Sequence, residues 1–154
     1  MHEAEPTPSR TVARRPDASG RSTNPRYVDV LLWGLALLDL SLAAVAFVWP
    51  GQWFHLVHGA PYVDPQGLMP RTGASWAMFA VLEAAAAVNW KRRPAWLAAI
   101  AAVRASDVAT DWTYLACSDH VSPAGTLMLA AASPANCLLA LLLWRAWRCR
   151  QHAP

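Results

Sequence analysis

PAWLAAIAAVRASDVATDWTYLAC, residues 94–117, is an apolar run long enough to cross a bilayer, yet it carries Arg104, Asp107 and Asp111. At 1.5 Å per residue, about 20 residues cover ~30 Å of hydrocarbon. One Arg or Asp at the centre of such a span costs roughly 2.5–3.5 kcal/mol. Several together, left facing lipid, would threaten insertion. Their spacing resolves the conflict, because i, i+3 and i+7 lie on one face of a helix. The run therefore reads as a helix whose polar stripe faces other helices or a wet cavity.

Three further runs have similar length and character: about Val28 to Trp49, Thr72 to Trp90 and Ala124 to Trp147. Charged residues make up only 15 % of the 154-residue chain. An average globular protein has about 25 %. The charges that exist crowd into the first thirty residues, one short link and the last ten. So little polar surface remains that a soluble fold is disfavoured. The expected architecture is all-α: an integral membrane four-helix bundle over 27–148, flanked by tails at 1–26 and 149–154. The lipid bilayer is its first partner, as a multi-pass protein of a cell inner membrane.

The flanking charges orient it. Arg10, Arg14, Arg15, Arg21 and Arg26 precede the first run, and Lys91, Arg92 and Arg93 link the second to the third. Arg145, Arg148 and Arg150 close the fourth. The other two connections hold Asp64, Asp119 and three histidines, with Arg71 as the lone cation. The positive-inside rule then places both termini in the cytoplasm. Tryptophans cluster near both expected interfaces, where an indole can stay partly wet. Residues 1–26, rich in Pro, Ser, Thr, Ala and Arg, read as a disordered tail. A second possibility stays open: the first run is a signal peptide with Ala44-Val45-Ala46 as its cleavage site, leaving three spans. Asp39 within that run counts against it. The long outer connection, Pro50 to Pro70, holds Trp53, Phe54, Leu56 and Val57. It is expected to lie on the outer surface as a short amphipathic turn or helix.

Charge inside the runs marks the candidate site. Asp39 is near the middle of the first, Glu83 just inward of the middle of the second, and Asn136 near the middle of the fourth. Asp39, Glu83, Arg104 and Asp107 are expected to converge in the bundle centre, with Asp111 one turn further out. Trp76, Glu83 and Trp90 lie seven apart on one face, so the two indoles are expected to line the way in. Four carboxylates against one arginine cannot all ionise cheaply in low dielectric. At least one, Glu83 or Asp39 first, is expected to hold a proton at neutral pH. Such a carboxyl suits a proton-coupled site, or offers a hydrogen-bond donor to a buried ligand. The plainer alternative is a polar lock between helices. Polar contacts between membrane helices contribute only about 0.6 kcal/mol on average. Pro134, in Ser133-Pro134-Ala135-Asn136, removes one backbone N–H and displaces the carbonyl of Ala130. It reads as an ordinary kink, or as the opening of a pocket beside Asn136.

Other chemistry is weakly signalled. His55, His58 and His120 are faint metal candidates, since H-x-x-H is a loose pattern and loop histidines are usually solvated. No catalytic motif is present, and no cofactor is expected. No basic patch suits nucleic acid. Cys117, Cys137 and Cys149 form no C-x-x-C pair and read as free thiols. The leading expectation is binding or transport of protons or of a small amphipathic or cationic ligand, such as a quinone. A competing one is an accessory subunit of a larger, redox-type membrane complex, or a homo-oligomer, docking through Ala98, Ala101, Ala102 and Ala105. A membrane-embedded enzyme with Glu83 and Asp107 as acid–base pair is the least favoured.

The layout resembles the DoxX-like group of small four-helix membrane proteins. Arg71-Thr72-Gly73 opens the second run, Ala80-Val81-Leu82-Glu83 lies within it, and Lys91-Arg92-Arg93 leads to an Ala-rich third. Ala84 to Ala87 stand where the group tends to carry glycines. The resemblance covers the chain after the tail and implies the four-helix architecture, with a tie to redox or quinone-linked complexes.

Overall fold

The computed structural model describes residues 25–118 and 120–151. The expected disordered tail and Asp119 lie outside them, apart from Pro25 and Arg26. The described residues form five helices and no strand: α1 (Pro25–Val48), α2 (Pro50–His58), α3 (Leu68–Asn89), α4 (Ala95–Cys117) and α5 (Pro123–Gln151). The four long helices coincide with the four apolar runs, shifted by a few residues at their ends.

Local chemistry explains the shifts. α3 begins at Leu68, ahead of the apolar run, because the Asp64 carboxylate accepts the backbone N–H groups of Leu68 and Met69, each at 2.8 Å. Helix starts leave such donors without partners. Gly67 makes the turn with φ at 65°, a left-handed conformation that glycine adopts without a Cβ clash. The connection from Pro50 to Pro70, expected to lie outside, contains the short helix α2. α2 starts with Pro50 at its first position, where proline's missing N–H costs nothing.

α1 packs along α3 and α4 along α5, antiparallel within each pair. Residues of both pairs pack together at the end that carries Lys91, Arg92 and Arg93, called here the basic end. The apolar core sits there: Val28, Leu32 and Leu35 of α1, Ala86, Ala87 and Trp90 beside α3, Leu97, Ile100 and Ala101 of α4, and Leu143 and Ala146 of α5. Asp29 accepts from the Trp90 indole N–H and from Lys91 Nζ, both at 2.7 Å. The Arg150 guanidinium lies 5.0 Å from the Trp90 ring centre. At the far end α2 clamps the start of α5. The Ser122 N–H donates to the Val57 carbonyl at 2.8 Å and its hydroxyl to the Leu56 carbonyl. Gly125 lies under Val57, where any Cβ would collide with that carbonyl.

Two helices, α1 and α5, are long and apolar enough to cross a membrane, with mean hydropathies of 2.2 and 1.9. α3 and α4 do not meet the same measure, so only two of the four expected spans pass on composition. The Glu83, Arg104, Asp107 and Asp111 side chains, with Thr and Ser, lower the average. Large apolar side chains are nevertheless exposed on α1, α3 and α5. Val30, Val81, Val88 and Leu127 are each more than 60 % exposed. Asp39, Glu83 and Arg104 are instead buried. That distribution inverts the usual one for proteins in water.

Candidate functional site

Phase along each helix positions the central charges. The buried face of α1 reads Val28, Leu32, Leu35, Ala36, Asp39, Ala43, Ala46, so Asp39 shares a stripe with aliphatic residues and turns inward with them. Glu83 sits in phase with Ala80, Ala86 and Ala87 on α3. Arg104 follows Leu97, Ile100 and Ala101 on α4. The alanines around Glu83 and Arg104 leave room for the two long side chains to meet.

They meet on one guanidinium. Arg104 Nε donates to Glu83 Oε1 at 3.1 Å, and Nη1 donates to Asp107 Oδ2 at 3.1 Å. Nη2 donates to both Asp39 Oδ2 and Glu83 Oε1. All three guanidinium nitrogens are therefore used, and they bind α1, α3 and α4 together. The Asp39, Glu83 and Arg104 side chains are 2 %, 0 % and 4 % exposed, and Asp107 is 23 % exposed. Glu83 Oε2 is buried with no hydrogen-bond partner.

The charges do not balance. Three carboxylates share one guanidinium, so full ionisation leaves two negative charges in excess. In low dielectric such an excess is costly. A proton on a carboxyl, or a bound cation, removes part of it. The orphaned Oε2 is the atom that can take a proton without breaking a hydrogen bond to Arg104, so protonation there removes charge at least cost.

Other expected site residues fall elsewhere. Asp111 is not a partner of Arg104 and accepts instead from the Ser133 hydroxyl at 3.2 Å. Asn136 is half-buried on α5 and makes none of the cluster's hydrogen bonds. Trp76 and Trp90, expected to line the way in, sit towards opposite ends of α3. Trp76 stacks edge-to-face on Trp53 of α2 with ring centres 5.6 Å apart, and Trp90 is buried at the basic end against Asp29. Residues seven apart share a face but lie about 10 Å apart along the axis, so that spacing sets neither ring against Glu83.

Two residues not singled out in the sequence have roles. Asp29 anchors Trp90 and Lys91, and its signal was an acid set among basic flanks. Tyr114 continues the α4 stripe at i+10 from Arg104. Its hydroxyl lies 3.0 Å from His58 Nε2, and His58 Nδ1 lies 3.1 Å from the His120 carbonyl. His55 is exposed and takes no part in these contacts. Among the described residues, no three His, Cys, Asp or Glu side chains gather closely enough to hold a metal ion. The three cysteines are free.

No protein-family model, no curated protein and no solved structure matches the chain.

Proposed function

We propose that this chain is a four-span protein of a cell inner membrane, with both termini cytoplasmic, whose mid-membrane cluster binds and releases protons. The observation that carries the reading is the charge imbalance: three carboxylates on one guanidinium, with Glu83 Oε2 buried and unpartnered. A cluster serving only as a lock would be expected to match its charges. This one has a built-in vacancy for positive charge. Protonation of Oε2 fills it, and deprotonation restores it. A small cationic or amphipathic ligand would fill the same vacancy by its charge. A quinone would do so by accepting a hydrogen bond from the protonated carboxyl.

The four-span part of the proposal rests on the surface. α3 and α4 have 22 and 23 residues, enough for about 33 Å of helix. Their exposed positions include Met78, Val81, Val88 and Trp112. Only 11 % of the apolar window of α5 is buried, unlike the core helix of a soluble protein. Large contiguous apolar surface of this kind suits lipid as solvent. The DoxX-like resemblance belongs to the same proposal.

The test is infrared difference spectroscopy of the full-length protein in lipid nanodiscs between about pH 5 and 9. Wild type is expected to show a protonated carboxyl band that disappears on alkalinisation, and Glu83→Gln to lack it while eluting as a single folded species. If no Glu83-dependent band appears anywhere in that range, the proton-binding reading fails.

A further inference from the structure

The cluster is not equally isolated from the two ends of the bundle. Between it and the basic end lie Leu35, Leu32, Leu97, Ile100, Leu143 and Trp90, all less than 5 % exposed. The next carboxylate on α1 in that direction is Asp29, ten residues from Asp39, or roughly 15 Å along the helix. The packed layer between them is the apolar cluster of Val28, Leu32, Leu35, Leu97, Ile100 and Leu143 with the Trp90 ring. Towards the far end the surroundings are polar. The partly exposed Asp107 is followed by Asp111 and then Tyr114, each three or four residues apart on one face of α4. Ser133 of α5 joins at Asp111, and His58 of α2 meets Tyr114. Gaps of one helical turn between such groups are short enough for a bridging water.

Resting on the proton-binding reading above, we infer that the cluster exchanges protons with the far, outer side only, along the α4 stripe of Asp107, Asp111 and Tyr114. The apolar layer at the basic end is the seal. Among the described residues, the titratable or charged groups facing Glu83 and this route are Asp39 from α1, His58 from α2, and Arg104, Asp107, Asp111 and Tyr114 from α4. α5 contributes the Ser133 hydroxyl. A proton passes from the outer water to Asp111, on to Asp107, and comes to rest on Glu83 Oε2. Each step breaks one O–H bond and forms another, so no oxidant or co-reactant is needed. Arg104 keeps its proton throughout and holds the acceptors in place.

Two measurements on the full chain in sealed, oriented vesicles test this. First, the pH is changed on one side at a time while the wild-type Glu83 infrared band is followed. The band is expected to respond to the side bearing α2 and to lose its response when only the side of the Lys91 link is changed. Second, in a background with Cys117, Cys137 and Cys149 changed to serine, Asp111→Cys and Leu97→Cys meet a membrane-impermeant cationic methanethiosulfonate. Asp111→Cys is expected to be labelled from the α2 side only, and Leu97→Cys from neither side. A titrating band that follows the basic side, or both sides, overturns the one-sided route and leaves proton binding standing. Labelling of Asp111→Cys from the basic side also overturns it. A band absent at every pH removes the underlying reading instead, and the wild-type measurement stands even if a cysteine variant fails to fold.

Discussion

Arg104 and Glu83 contribute unequally although they touch. Arg104 satisfies three carboxylates with three nitrogens, so removing it leaves buried negative charge with no compensation. Breaking a buried pair in this way typically costs about 3–5 kcal/mol. Arg104→Met is expected to lower unfolding stability in detergent by that order, with the loss shrinking as the pH falls and the carboxyls protonate. Glu83→Gln keeps an amide oxygen to accept from Arg104, removes one of the excess negative charges, and changes the oxygen that had no partner. Its thermal unfolding midpoint is therefore expected to lie much nearer wild type than that of Arg104→Met. A midpoint for Glu83→Gln as low as that of Arg104→Met would contradict this division. The four central charges could be found from sequence because each is in phase with its helix's apolar stripe. The depth of Trp76 and Trp90 could not, since periodicity gives a face and says nothing of which neighbour that face meets.

At the scale of elements, helix starts were the less readable part. The start of α3 depends on Asp64, which lies outside the apolar run. The backbone N–H groups of Met69 and Leu68, with smaller help from Tyr62 and Gly67, hold the Asp64 carboxyl below its ordinary value of 3.8. Burial acts in the opposite sense and is outweighed. A carboxyl with a lowered folded-state value stabilises above its ordinary value, and that contribution is lost as pH falls through the lowered one. Asp64→Asn keeps an acceptor for the helix start but does not titrate. The difference in thermal midpoint between wild type and Asp64→Asn is thus expected to narrow on acidification below about pH 4 and to be constant above about pH 5. A difference that widens in acid would show that Asp64 does not cap α3. α2 was only half legible, because Trp53, Phe54 and Val57 marked an amphipathic segment without showing that it clamps Gly125.

For the whole molecule, the sequence showed how many long helices to expect and where they lie, but not their partners. Pairing of α1 with α3 and of α4 with α5 depends on contacts between distant residues that a single sequence does not display. Lysine and arginine in the connections give an expected orientation, which labelling can test. In intact cells, Arg92→Cys is expected to react only with reagent reaching the cytoplasm, and Gln66→Cys only with reagent outside. Labelling of both positions from one side would reject the four-span topology and leave α1 and α5 as the spans.

Asp39 and Arg104 are separated by 65 residues of chain. At ribosomal rates of about 5–20 residues per second, Asp39 is made roughly 3–13 seconds before its partner exists. On the proposed four-span topology, α1 would enter the bilayer with a carboxyl that has no arginine to answer it. α3 follows with Glu83 in the same position. Only when α4 arrives does one side chain gather the waiting acids, so completing the cluster is also the step that commits the newborn chain to its final form.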